Sequence, residues 1–198
     1  MRVIAGQFRS RTLVSPKGEE TRPTSDRLRE TLFNILGERI QQAVFVDGFA
    51  GTGAVGIEAL SRGAAQVYFA ETARPALAAL RANLESLGIA RQVTVDTRGA
   101  LPLLRKLAEQ RIQADVVFLD PPYADAQAYA STLAFLARSS VLHQDSIVVV
   151  EHSSYADAPV APAALQPYRS LRQGEAQVTF YRCVAGGDDA SETNAPPV

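Results

Sequence analysis

Tryptophan is absent from the 198 residues, and cysteine and methionine occur once each. The single Cys183 excludes an internal disulfide framework. With only two histidines, His143 and His152, a cysteine–histidine zinc cluster lacks its ligands, and no metal is expected. Both histidines are expected to be ordinary strand-flanking residues. Long apolar runs are missing too. Nothing approaches the roughly 20 residues of a membrane-spanning helix, so no membrane partner is expected. The opening Met1–Arg11 holds only Val3–Ala5 as an apolar stretch. A secretory signal core needs roughly 7–15 such residues, and a cytoplasmic protein is expected.

An excess of charge of either sign is also lacking, with 21 acidic against 20 basic side chains. The balance hides an asymmetry. Residues 1–17 carry Arg2, Arg9, Arg11 and Lys17 and no acid, whereas residues 183–198 carry Asp188, Asp189 and Glu192 and no base. A basic start of this kind is either a solvated edge hairpin or a phosphate-binding surface. Hydrophobic residues make up 46% of the chain and charged residues 21%, which excludes a wholly disordered chain and a coiled-coil rod.

Periodicity sets the organisation. Val3–Ala5 and Arg11–Val14 read as two short strands around Gly6. Thr24 or Ser25 is placed to cap a helix whose apolar stripe is Leu28, Leu32, Ile35, Leu36 and Ile40. From Val44 onward, strands and helices alternate: strands at Val44–Asp47, Val67–Glu71, Gln92–Val95, Asp115–Asp120 and Ser146–Glu151, helices at Ala54–Arg62, Pro75–Leu87, Ala100–Gln110 and Ala126–Ala137. Tyr168–Arg172 and Gln177–Cys183 flank Gly174 as a closing hairpin. Alternation of this kind means parallel pairing with right-handed crossovers. The expected fold is α/β, a doubly wound and mostly parallel sheet with a C-terminal antiparallel hairpin and a small N-terminal β-hairpin plus helix. One domain is expected over residues 1–183: a basic hairpin and helix over 1–40, and an α/β core over 44–183. The tail 184–198 is expected to be disordered.

Two segments carry chemistry. Asp47-Gly48-Phe49-Ala50-Gly51-Thr52-Gly53 joins the first strand of the α/β unit to a helix, where glycines allow close backbone approach and helix N–H groups stay free. In doubly wound sheets, ligands bind at the carboxyl ends of the strands where strand order switches. Two ligand classes compete for the loop: a dinucleotide, with its pyrophosphate on the helix N-terminus, and S-adenosyl-L-methionine, whose cationic sulfonium gains from an acid such as Asp47. Glu71 ends the next strand and suits a ribose diol in either case.

Asp120-Pro121-Pro122-Tyr123 is the second segment. Two prolines remove two donors and hold the chain extended. A nucleobase exocyclic amine is a poor nucleophile because its lone pair is delocalised into the ring. A carboxylate and a backbone carbonyl, here Asp120 and the Pro121 carbonyl, can accept its two hydrogens and aim the lone pair. Tyr123 offers a flat face on which a base can stack.

Asp-Pro-Pro-Tyr together with Phe-x-Gly-x-Gly resembles the signature pair of class I amino-methyltransferases. The segments Met1–Gly6, Arg22–Asn34, Asp47–Gly53 and Gly56–Ala64 more narrowly resemble the bacterial RsmD-type enzymes, which methylate N2 of a guanine in 16S ribosomal RNA. The resemblance runs from Met1 to about Cys183. It implies a Rossmann-like class I methyltransferase, S-adenosyl-L-methionine as cofactor, and 16S RNA, within an assembling small subunit, as partner. It implies catalytic roles for Asp120, Pro121, Pro122 and Tyr123. Cofactor contacts are implied for Asp47, Phe49, Gly51, Gly53, Glu71, Gly99 and Ala100, and RNA contacts for Arg9, Arg11, Lys17, Arg22 and Arg27. Where the family pattern has Asp or Asn before the alanine after the third strand, this chain has Gly99, leaving Asp96 or backbone near Arg98 to meet the donor adenine. An amino-methyltransferase of another base, such as adenine N6, is the alternative enzyme. A non-catalytic dinucleotide-binding module is the alternative outside enzymes.

Overall fold

The computed structural model describes residues 1–16 and 26–184. Helix α1 spans Asp26–Leu36 and runs into a 3-10 turn at Gly37–Ile40. The α/β succession follows: β1 Val44–Asp47, α2 Ala54–Ser61, β2 Gln66–Ala70, α3 Arg74–Ser86, β3 Val93–Asp96, α4 Ala100–Glu109, β4 Ala114–Leu119, α5 Ala126–Leu136 and β5 Leu142–Ser153. Strands β6 Leu165–Gln173 and β7 Ala176–Cys183 close the chain. One seven-stranded sheet runs in the order β3-β2-β1-β4-β5-β7-β6, parallel through β5 and antiparallel at β7 and β6. The expected doubly wound fold with its closing hairpin is therefore what the chain adopts.

Helices cover both faces, which is why the central strands are apolar in both registers. Phe45, Phe118 and Val149 pack on one side with α1, α2 and α3; Val46, Val117, Leu119 and Val150 pack on the other with α4 and α5. β1 lies between β2 and β4, so the strand order reverses beside it.

Three expectations need adjusting. The N-terminal hairpin is present in its shortest form, a single antiparallel bridge between Arg2 and Thr12. It is supported by Val3 N–H to the Arg11 carbonyl at 2.9 Å and Ser10 N–H to the Val3 carbonyl at 2.9 Å. β5 starts at Leu142, ahead of the expected Ser146, because Leu142 pairs with Ala114 across a register shift. β6 starts at Leu165 and runs through Pro167. Proline blocks a central strand but not an edge strand, and β6 is the edge. The expected caps Thr24 and Ser25, and Lys17 and Arg22, lie outside the described residues, as does the tail beyond Val184. Val184 itself donates to the Ala164 carbonyl at 3.0 Å.

Candidate active site

A cleft of about 720 Å³ opens at the carboxyl ends of β1, β2, β4 and β5. Its size is in the usual range for a small-molecule site. Asp47, Phe49, Gly51, Glu71, Asp120, Pro121, Pro122 and Tyr123 all line it, so both sequence segments meet in one place. Gly53, Gly99 and Ala100 do not reach the lining. Gly53 precedes α2 with φ 81°, and Ala100 is buried in the α4–α5 core.

Parallel pairing and alternation aim the acids. Asp47 lies opposite Phe118, and Phe118 lies opposite Val149. Asp47, Asp120 and Glu151 each follow two residues after a side chain of one core face, namely Phe45, Phe118 and Val149. Three adjacent strands thus bring three acids to one side of the sheet end.

Each acid is held differently. Asp47 is buried, and its Oδ2 accepts from the Gly56 N–H of α2 at 2.9 Å. Burial pushes its pKa up to about 7; the Gly56 hydrogen bond opposes the shift and the Glu71 charge adds to it. Asp120 is pushed well above the usual carboxylate range by burial first, then by the charges of Glu151 and Asp47. Glu71 ties the loop together: it accepts from Gly51 N–H at 2.7 Å and from Thr72 and Ala73 N–H at 2.7 Å each.

Two tyrosines brace the tetrad. The Tyr129 hydroxyl reaches the Pro121 carbonyl at 3.2 Å and the Glu151 carbonyl at 2.9 Å. Tyr123 donates to Glu151 Oε1 at 3.4 Å. Burial first, and then the nearby acids led by Asp120, raise the Tyr129 pKa above that of a free phenol, so it stays a neutral donor.

Gly99 has a structural reason. It caps α4 with φ 104° and ψ 178°, a backbone region open in practice only to glycine. An Asp or Asn there would be strained. Asp96 is already engaged, accepting from Arg98 Nη2 at 2.6 Å and Arg98 Nε at 3.0 Å. Arg98 lowers the Asp96 pKa through that hydrogen bond. Neither Asp96 nor Gly99 lines the cleft.

Met1 reaches the cleft wall, and the residues after it are attached to the core. Arg9 and Arg27 are exposed; Arg11 is exposed and donates from Nη2 to the Ser86 carbonyl at 2.9 Å. The anchor is Glu58 of α2, fully buried, which accepts from Ile4 N–H at 2.7 Å and Ala5 N–H at 3.1 Å. Arg62 Nε closes on the same carboxylate at 2.7 Å, and Arg29 Nε stands 3.9 Å away. Buried Arg29 also donates to the Arg2 carbonyl and to Asp26. His143 pairs with Asp115 and His152 with Thr179, both away from the cleft.

Residues 1–182 match the family model described as Conserved hypothetical protein 95. The chain belongs to this family. Ribosomal RNA small subunit methyltransferase D of Escherichia coli K12 is 33% identical over 192 residues, which is 97% of this chain and 94% of that protein. The solved structure of the Escherichia coli protein yhhF aligns with a TM-score of 0.79 at 34% identity, covering 93% of this chain and 98% of that one. An RNA methyltransferase from Salinibacter ruber, solved with S-adenosyl-L-homocysteine, aligns with a TM-score of 0.59 at 18% identity, over 81% of this chain and 93% of that one. At that identity the likeness shows the fold alone. The fold is that of class I methyltransferases.

Glu151, Tyr129 and Glu58 were missed by sequence reasoning. An acid closing the fifth strand was a visible signal for Glu151, in line with Asp47, Glu71 and Asp120. Nothing local marks Tyr129 or Glu58, whose partners are distant in sequence.

Proposed function

We propose that this protein methylates the exocyclic N2 amine of a guanine in 16S ribosomal RNA, in the cytoplasm, while the small subunit is being assembled. Residues 1–183 work as one methyltransferase domain in this reading. The observation that carries it is the Asp120–Tyr123 tetrad on the wall of the cleft where strand order reverses.

The residues of the cleft fit the cofactor. Asp47 and Asp120 are acids whose burial a cationic ligand would offset. Glu71 keeps about one acceptor position, on Oε2, for a ribose hydroxyl beyond the three N–H groups it already holds. S-adenosyl-L-methionine, when bound, supplies a methyl group on a good leaving group. The protein's part is to present the amine. Asp120 and the Pro121 carbonyl accept its two hydrogens, and the carbonyl's second lone pair is available beside Tyr129. Asp120, made more basic by burial, takes the proton that the amine sheds as it becomes cationic. Tyr123 stacks on the base.

Glu71→Ala is expected to weaken S-adenosyl-L-homocysteine binding by about tenfold or more, as removal of a charged hydrogen-bond acceptor does. Calorimetry reads it. NAD binding with no response to S-adenosyl-L-homocysteine would favour the dinucleotide module instead.

The exposed Arg9, Arg11 and Arg27 contact RNA phosphates in this reading, and Lys17 and Arg22 are assigned the same role. Replacing Arg9 and Arg11 together with Ala should weaken RNA binding and lower its salt slope by about 1–2, roughly one for each phosphate that the pair neutralises. Donor affinity should stay nearly unchanged. An unaltered salt slope would return the start to a solvated surface. Nucleoside mass spectrometry after incubation with donor and small-subunit RNA tests the whole proposal. N2-methylguanosine supports it, and N6-methyladenosine would overturn the guanine assignment.

A further inference from the structure

The glycine loop has little stiffness of its own. Gly51 and Gly53 both take positive φ, 53° and 81°, and glycine loses more freedom than any other residue when held in one conformation. Side chains from outside the loop hold it on two sides. Glu71 accepts from the Gly51 N–H at 2.7 Å. Opposite, Asn83 of α3 donates from Nδ2 to the Thr52 carbonyl at 3.0 Å. Fixing a carbonyl fixes the plane of its peptide, here the one that joins Thr52 to Gly53. Thr52 lines the cleft.

Asn83 sits on the buried face of α3, among Leu80 and Leu84, and is 1% exposed. A buried amide is costly unless its groups are met. Those of Asn83 are met by two separate segments. Besides Thr52, its Nδ2 donates to the Val14 carbonyl at 3.1 Å, and its Oδ1 accepts from the Val14 N–H at 2.8 Å. The Val14 backbone therefore grips the amide at both its atoms, as one strand grips another, and fixes its orientation. An N–H is then aimed at the Thr52 carbonyl. Seating of the N-terminal hairpin is a separate matter. Glu58 and Ser61 of α2 hold Ile4, Ala5, Gln7 and Phe8 whatever stands at position 83.

We propose that Asn83 is a positioning residue of the donor site and that the Val14 backbone aims it, so that the N-terminal hairpin supports donor binding as well as RNA binding. The inference rests on the reading of the cleft as the S-adenosyl-L-methionine site. Asn83 does not line the cleft and acts through Thr52. A loop released at Thr52 has to be ordered when the donor arrives. That ordering weakens binding and leaves methyl transfer from a seated donor as it was. Asn83 is thereby set apart from Asp120, whose part is in the transfer step.

The test uses the full-length protein, with S-adenosyl-L-homocysteine affinity read by calorimetry and single-turnover transfer to small-subunit RNA read at saturating donor. Asn83→Ala should weaken S-adenosyl-L-homocysteine binding by roughly 5- to 10-fold, the worth of about one buried hydrogen bond, and keep the saturated rate within about twofold. Val14→Pro, at a position 51% exposed, leaves Asn83 in place and deletes the N–H that its Oδ1 accepts. It should weaken binding in the same direction, and the double variant should bind no more weakly than Asn83→Ala alone. Leu107→Ala is the control: it opens a cavity in the other core face, so Tm falls while S-adenosyl-L-homocysteine affinity holds. Unchanged affinity in Asn83→Ala and Val14→Pro, additive losses in the double variant, an equal loss in Leu107→Ala, or a saturated rate that falls as far as the affinity would each overturn the proposal. Should Asn83→Ala fail to fold, Val14→Pro against Leu107→Ala decides, with a loss in the first alone as the supporting result. An unaltered protein that binds NAD and not S-adenosyl-L-homocysteine would instead bring down the donor reading itself, and this inference with it.

Discussion

Asp120→Asn should slow single-turnover methyl transfer by ~100-fold or more at saturating donor, with donor binding largely intact. The change preserves shape, replaces one acceptor oxygen with an NH2 donor, and removes the charge. An amine hydrogen that met an acceptor would then meet another donor. The lost basicity matters as well. Burial and the neighbouring Glu151 and Asp47 charges lift the Asp120 pKa above the ordinary carboxylate range. The working form is the carboxylate, so the rate should rise with pH through that elevated value and fall below it. Asp120→Asn should lack this acid limb. Tyr123→Phe keeps the ring and should cost much less than Tyr123→Ala, since stacking contributes ~1–3 kcal/mol per base. Near-normal rates for Asp120→Asn would remove Asp120 from the mechanism.

The second large effect is on stability. Glu58→Ala should destabilise the protein by about 3–5 kcal/mol, the usual cost of removing one partner from a buried charged network. The carboxylate holds the Ile4 and Ala5 N–H groups and Arg62, which would lose their acceptor together, while buried Arg29 would lose a counter-charge 3.9 Å away. At roughly 2–4 °C per kcal/mol for a domain of this size, the melting temperature should drop by about 10 °C. Glu58→Gln should fall between, because the amide keeps one acceptor and loses the charge. Hydrogen exchange gives a local reading: the Ile4 and Ala5 amides should be protected in the unaltered protein and lose that protection in Glu58→Ala. If Tm and both amides stay put, the anchor lies elsewhere.

The α/β core was legible because its signals are local. Val44–Asp47 and Ala114–Leu119 are short apolar runs, and glycine or proline punctuates them on the carboxyl side. The glycine loop and the proline tetrad could be placed on one cleft because strand-end loops of a doubly wound sheet share an edge. Edge effects were less visible. The strand expected at Tyr168–Arg172 begins earlier, at Leu165, and only the position of β6 at the border of the sheet makes Pro167 tolerable within it. Gly99 stood out against the family pattern, but the reason, a φ of 104° at the α4 cap, is a property of the folded backbone. Glu58 illustrates the limit. In sequence it is one polar residue in an apolar helix; its meaning comes from Ile4 and Ala5, more than fifty positions away.

Helix α2 has eight residues, all buried, and it is engaged at both ends. Near its start, Gly56 N–H holds Asp47 at the cleft. At its finish, the Ser61 carbonyl accepts from Gln7 N–H at 2.7 Å and the Ser61 hydroxyl accepts from Phe8 N–H at 2.9 Å. Gly6 passes so near that an added Cβ would stand 1.7 Å from the Ser61 carbonyl oxygen. The basic arm is therefore not a detachable module. Transplanting residues 1–16 alone onto another enzyme of this fold would deliver a strand with nothing to grip. The smallest exchangeable piece is the arm together with the helix from Ala54 to Arg62, and any chimera that recruits the arm inherits the floor of the donor cleft along with it.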